Sequence, residues 1–339
     1  MSATQTPDAQ TGQPQPGESG PRPLKEARYE LVEVPEPMGP VVVTVDRRFV
    51  LDYAYAQDDF RDWYFGDGAG NPFGHAVGHP LVLANELLFL FYANYDGNTA
   101  QGLHTHEHLR FRSPVRVGET VTVEGGYTEK VERRGQGYVT LEATARGEDG
   151  RVLVEHIGKE IMRTVAGDVV GGKRTEGEQR PRTVLGTVDD AVPAITVAAH
   201  GLPERAALPR RTTTFTQDQM SVFSWAGRGF ANVHTSQAKA EASGLPRTIV
   251  QAQQQTGHIV ANLVDVFGAS FFTTGELDLR FVSPAFVGDE LTTSGAVVGE
   301  TDGRLELEVW VEKADGTRTA VGWASADISD DQARPTTLL

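Results

Sequence analysis

One segment of this chain occurs twice, and that repeat constrains the fold more than anything else in the sequence. LRFRSPVRVGETVTVEG at 109–125 matches LRFVSPAFVGDELTTSG at 279–295, with nine identities in 17 positions at a constant offset of 170. Each copy is followed by alternating segments and an Asp-Gly pair, Asp149-Gly150 and Asp315-Gly316. Runs such as YVTLEATA (138–145) and RLELEVWVE (304–312) have the period of two expected of half-buried antiparallel strands, and Asp-Gly is a tight hairpin turn. Before each copy lies a long apolar stretch with helical character, 79–95 and 250–267. The first is apolar nearly all round, as befits a helix enclosed by protein. Each half thus reads as a buried helix followed by three or four antiparallel strands. This is an α+β architecture, the hotdog plan present twice: a double hotdog.

The rest of the chain frames these halves. Residues 1–26 hold five prolines and almost no large apolar side chain, too little burial to offset the entropy of ordering, so a disordered tail is expected. The N-terminal hotdog then spans 27–165, a connector 166–210, and the C-terminal hotdog 211–339. The connector opens on a polar stretch and contains one segment, VPAITVAA (192–199), that could be extended. A net charge of −15 argues against a nucleic-acid backbone as partner. With no cysteine there is no disulfide, thiolate nucleophile or Cys-held metal. No apolar run reaches the ~18 residues of a membrane span, and the first residues lack the pattern of a signal peptide, so a cytoplasmic protein without membrane contact is expected.

The repeated F-x-S-P-x-x-V-G-[DE] segment resembles that of the MaoC-like dehydratases, also called R-specific enoyl-CoA hydratases, over about 290 residues. The resemblance implies a motif G-D-x-N-P-I-H whose Asp and His handle water, and a helix opening whose backbone N–H binds the thioester oxygen. In the first half, Gly66-Asp67 and Asn71-Pro72 precede His75, with an Asp-to-His spacing of eight instead of five. His75 or the neighbouring His79 would be the imidazole. In the second, FSWAGRGFANVH (223–234) keeps His234 and Asn232, while the Asp position falls on Gly229. The helix opens there with Gln251-Ala252, where the first half has His79-Pro80. Proline has no N–H to donate, whereas Ala252 donates at the positive end of a helix. The resemblance therefore implies a composite site with Asp67, His75 and His234 as catalytic groups and Asn71, Asn232, Gln251 and Ala252 binding substrate. An Asx turn at Asp67 and a structural role for His234 remain as alternatives.

Gln253 is a polar side chain near the mouth of the second helix and needs a partner. Arg228 could meet a phosphate or stand in solvent. His104, His106 and His108 alternate, so on a strand they share one face, a spacing that chelates zinc or iron. The family strand needs no metal, so a solvated histidine row, with no metal or other cofactor, is the expectation. Arg110, Arg112 and Arg116 form a basic stripe suited to a nucleotide phosphate or simply to solvent. Phe89, Phe91, Phe271 and Phe272 are available to line an acyl tunnel. The implied activity is that of a hydro-lyase acting on a 2-enoyl or 3-hydroxyacyl thioester of CoA or acyl carrier protein, with a homodimer an open arrangement. The competing readings are a hotdog protein without hydratase chemistry, binding thioesters or acting as a scaffold, another biosynthetic enzyme, and a thioesterase.

Overall fold

The computed structural model of the protein describes residues 23–100, 102–133, 135–162, 183–224, 231–330 and 333–338. Its first half runs β1 (Lys25–Glu26), β2 (Glu36–Thr44), α1 (Arg47–Gln57), α2 (Asp62–Phe65), α3 (Ala84–Leu88), β3 (Tyr95–Asp96), β4 (Leu103–Phe111), β5 (Thr120–Arg133), β6 (Gln136–Gly147) and β7 (Val152–Met162). The second runs β8 (Arg211–Thr214), α4 (Gln217–Phe223), α5 (Gln237–Ala242), α6 (Ala252–Phe267), α7 (Ser270–Thr274), β9 (Glu276–Phe281), β10 (Glu290–Thr301), β11 (Arg304–Lys313) and β12 (Arg318–Asp327). Ten strands form one sheet in the order β2-β5-β6-β7-β4-β9-β12-β11-β10-β8. The order is the same read inward from either edge, so the halves are related by a pseudo-twofold axis through the antiparallel β4–β9 pair, where His108 lies opposite Asp278. This is the double hotdog.

The repeat is reproduced bond by bond. Pro114 and Pro284 sit in equivalent bends after β4 and β9. The acidic residue of each V-G-[DE] turn accepts a backbone N–H three residues earlier: Glu119 from Arg116 at 2.6 Å and Asp289 from Phe286 at 3.0 Å. Both Asp-Gly turns close as expected, with Gly150 and Gly316 each at φ +81°, a backbone region that favours glycine. Asp46 and Thr216, also 170 apart, cap α1 and α4 with side-chain oxygens, each satisfying a helix-end donor.

The two central segments differ. The expected second helix is present as α6, with 14 of its 16 residues buried. The first, expected over 79–95, is helical only in α3, followed by a 3-10 turn at Phe89–Ala93. Its opening is wound by short-range bonds, Val82 N–H to the His79 carbonyl and Ala84 N–H to that of Leu81. An apolar run shows that a segment is buried; it does not fix the backbone that buries it.

Two boundaries shift. Lys25 and Glu26, assigned to the tail, pair in parallel with Tyr95 and Asp96; residues 1–22 lie outside the described part, as do 163–182 of the linker region. From 183 onward the linker is held to the second half. Ala198 N–H bonds to the Val266 carbonyl and Ile195 N–H to that of Ala207, and no strand forms over 192–199. Among the described residues no helix is long and apolar enough to cross a membrane.

Candidate active site

The halves enclose a cavity of about 370 Å³ at the N-terminus of α6. From the first half it is lined by Phe89, Phe91, Tyr92, His104 and Glu160. The second half contributes Asn232, His234, Gln251, Ala252 and Phe281. Phe89 and Phe91 are thus wall residues as expected, whereas Phe271 and Phe272 are packed in the core beside Phe111, Trp63 and Phe73.

His234 is held from three sides. Its backbone N–H donates to Asn232 Oδ1 at 2.9 Å, its carbonyl accepts from Gln217 Nε2 at 2.9 Å, and ring Nδ1 lies 2.7 Å from the Ile249 carbonyl. A carbonyl only accepts, so Nδ1 carries the hydrogen and Nε2 the lone pair. Burial lowers the imidazole pKa to about 4, leaving it neutral near pH 7 and able to take a proton. Asn232 therefore works through the loop that places His234.

Ala252 opens α6, and a first-turn N–H has no intrahelical acceptor. Gln251, just before it, donates to Ser224 Oγ at 2.6 Å, and its Oε1 is buried without a hydrogen-bond partner. Gln253 lies deeper, where its amide donates to Glu107. The first-half counterpart of this opening can be located by its backbone bonds. Gly78 and Val250 N–H groups make matching 2.8 Å bonds to the Val115 and Ala285 carbonyls. Two residues on from these lie Pro80 and Ala252.

Glu160 was not foreseen. It stands on the cavity wall, 6% exposed, and burial pushes its carboxyl pKa up to about 7. The signal was there: in β7, Val154, His156, Gly158, Glu160 and Met162 alternate onto the buried face, so two ionisable residues occupy inward positions of a strand.

Asp67, His75 and Asn71 do not line this cavity. Asp67 is exposed and accepts the Ala69 N–H at 2.9 Å, the Asx turn. Asn71 ties its own loop, accepting from Phe73 and Gly74 and donating to the His75 carbonyl. His75 is half-buried but does not line the cavity. The reason is a register shift. Val77 N–H bonds to the Trp63 carbonyl as Ile249 N–H bonds to that of Val233, so Tyr64, 170 residues before His234, holds the imidazole's place. The same offset sets Asp59 against Gly229, which, like Arg228, lies outside the described residues.

Asp59 is a second residue that sequence reasoning missed. It is 2% exposed and bonds to Arg61 Nε at 2.7 Å and Tyr64 OH at 3.2 Å. Arg61 reaches on to Asp265 at 2.5 Å and the Ala261 carbonyl at 3.0 Å. Burial alone would raise the Asp59 carboxyl, but the charges of Arg61 and Arg211 help to hold it below the usual range. Burial pushes His79, 4.0 Å from Asp59, down to about 3. An internal ion pair thus lies beside the first-half opening.

The histidine row is also rearranged. A bulge in β4 between His104 and His106 adds a residue and switches the face. His106 and His108 meet Asp278 and Glu276 of β9, whereas His104 joins the cavity wall. Its ring lies near that of His156, and both lie close to Glu107. The arginine stripe is neutralised, with Arg110, Arg112 and Arg116 on Glu276, Glu155 and Asp149.

Comparison with known proteins agrees with the geometry. A family model for the MaoC like domain matches residues 198–317. None of the curated proteins matches the sequence. A MaoC-like dehydratase from Phytophthora capsici superposes with a TM-score of 0.62 at 15% identity, covering 88% of this chain and 97% of its own. A putative MaoC domain protein dehydratase from Chloroflexus aurantiacus gives 0.61 at 14% identity, covering 92% and 98%. A conserved hypothetical protein of Mycobacterium tuberculosis, described as having a double hotdog fold, gives 0.60 at 14% identity, covering 91% and 98%. Residues 198–317 are therefore similar to the MaoC like domain, and the whole chain shares the double-hotdog fold of these structures.

Proposed function

We propose that this protein is a hydro-lyase that interconverts a 2-enoyl thioester and its 3-hydroxyacyl form, the acyl group carried by CoA or acyl carrier protein in the cytoplasm. The observation that carries this reading is the neutral, tautomer-fixed His234 beside the Ala252 N–H in a largely apolar cavity. The thioester oxygen accepts from the Ala252 N–H, which stabilises negative charge as it develops. His234 Nε2 takes a proton from water as the water oxygen bonds to the β-carbon. The α-carbon then takes a proton, and Glu160, the carboxyl group on the first-half wall, supplies it; Asp67 has no part. Gln251 Oε1, which lacks a partner, accepts from the 3-hydroxyl. The site is shared between units spanning 27–165 and 211–339.

Incubating the pure protein with crotonyl-CoA tests this. Loss of the enoyl absorbance without release of free thiol is the expected result, and Glu160→Gln should slow it by about 10²–10⁴-fold. Free CoA would mark a thioesterase. No change with any of several chain lengths would leave a thioester-binding protein without this chemistry.

A further inference from the structure

We propose that His104, Glu107 and His156 bind one divalent transition ion, zinc or iron(II), in the first-half wall of the cavity. This site does not depend on the hydro-lyase reading. The β4 bulge turns His104 inward, onto the face that carries Glu107. His156, on the neighbouring β7, points to the same side, opposite Leu109. One ligand atom from each residue lies within 4.8 Å of the others. Ligands about 2.0–2.2 Å from a shared ion stand at most about 4.4 Å apart, so the ion needs only a small inward turn of the side chains. Two imidazoles and one carboxylate are a donor set that suits zinc and iron(II).

Unmet bonding is the second observation. The His156 side chain is 0% exposed, and neither ring nitrogen has a hydrogen-bond partner; its nearest carboxylate oxygen, Glu107 Oε2, is 3.6 Å away. His104 Nδ1 is likewise buried and unpartnered. Buried polar atoms are rarely left so, because losing water without replacement is costly. The surroundings already do what a metal site requires of its outer shell. His104 Nε2 donates to the His106 carbonyl at 2.9 Å, which leaves Nδ1 as the lone pair. The Glu107 carboxylate accepts from Gln253 at 3.3 Å and from the Thr256 hydroxyl, both on α6.

Room for the rings is provided by Gly158. A Cβ there would come within 2.7 Å of His156 Cε1 and 3.4 Å of His104 Nε2. The other half offers a control. The register that sets Glu107 against Gly158 and His156 against Leu109 places Leu277 against Ala324 and Gly322 against Leu279. The fold is therefore built at the pseudo-equivalent positions without any of these groups. His104 also lines the cavity, so the ion stands next to its wall.

The test uses the full chain, stripped with a chelator and titrated with Co²⁺ as a spectroscopic probe and with Zn²⁺ by calorimetry. One equivalent should bind, with visible bands of a four- or five-coordinate ion that Zn²⁺ abolishes. His156→Ala and Glu107→Gln should lose the bands, and His108→Ala, on the opposite face, should keep them. Thr256→Val leaves all three ligands in place and should weaken binding about 10–100-fold. Absence of a saturable spectrum in the native chain overturns the proposal. So does a spectrum that survives both His156→Ala and Thr256→Val unchanged.

Discussion

The two openings of the central segments occupy equivalent places in the fold and have come to opposite states. At the second, the helix starts with Ala252, the imidazole of His234 is retained, and the space in front is open to about 370 Å³. At the first, proline removes the donor, Tyr64 stands where the imidazole would be, and Arg61 bonds Asp59 and Asp265. The same scaffold thus spends one opening on a binding cavity and the other on holding the halves together. Local symmetry of backbone bonds does not imply symmetry of chemistry.

The comparison can be broken most sharply at His234. If chemistry belongs to the second opening alone, His234→Ala should lower the rate of enoyl-CoA hydration by about 10²–10⁴-fold. A variant with near-native rates would return the question to the first half. The first opening should instead answer in stability. Arg61→Met leaves Asp59 buried without its principal cation, and breaking such a pair costs about 3–5 kcal/mol. Urea unfolding measures this, and an unchanged midpoint would mean that the ion pair does not hold the halves.

Both openings should respond to acid. Burial lowers His79, His234 and His258 to about 3, 4 and 3, against about 6.5 in the unfolded chain. Between these values the unfolded chain binds protons that the folded one does not, so stability falls as pH drops. The melting temperature should decline steadily from about pH 7 to about pH 5, and a flat profile there would contradict neutral buried imidazoles. The smallest effect belongs to Asp67. Because its carboxylate only closes a turn, Asp67→Asn should change hydration rates by less than about 3-fold, well below the loss of a general base. A drop of hundreds would restore it to the chemistry.

Much of this was legible without coordinates. The repeat, its Asp-Gly turns and its period-2 strands carry the four strands that follow each central segment, because each rests on local backbone chemistry. His234 and Ala252 were legible too, since a gapless loop and a missing proline are local facts. Asp59 and Glu160 were not picked out. Asp59 sits in an ordinary polar stretch, and only the Trp63–Val77 and Val233–Ile249 bonds reveal which residues correspond. The row at 104–108 misled because one inserted residue in β4 reverses which side chains face inward.

The sequence by itself determined a pair of hotdogs and the place of their Asp-Gly turns, and it pointed to Ala252 as a helix opening with an N–H to donate. Tertiary structure decided which opening fronts a cavity, which carboxyl reaches it, and that His104, Glu107 and His156 meet. The physical reason is distance along the chain. Turns, caps and strand alternation are set by neighbours a few residues away, whereas Arg61 and Asp265, or Glu107 and Thr256, are 204 and 149 residues apart. Their contact exists only once the sheet has closed around α6.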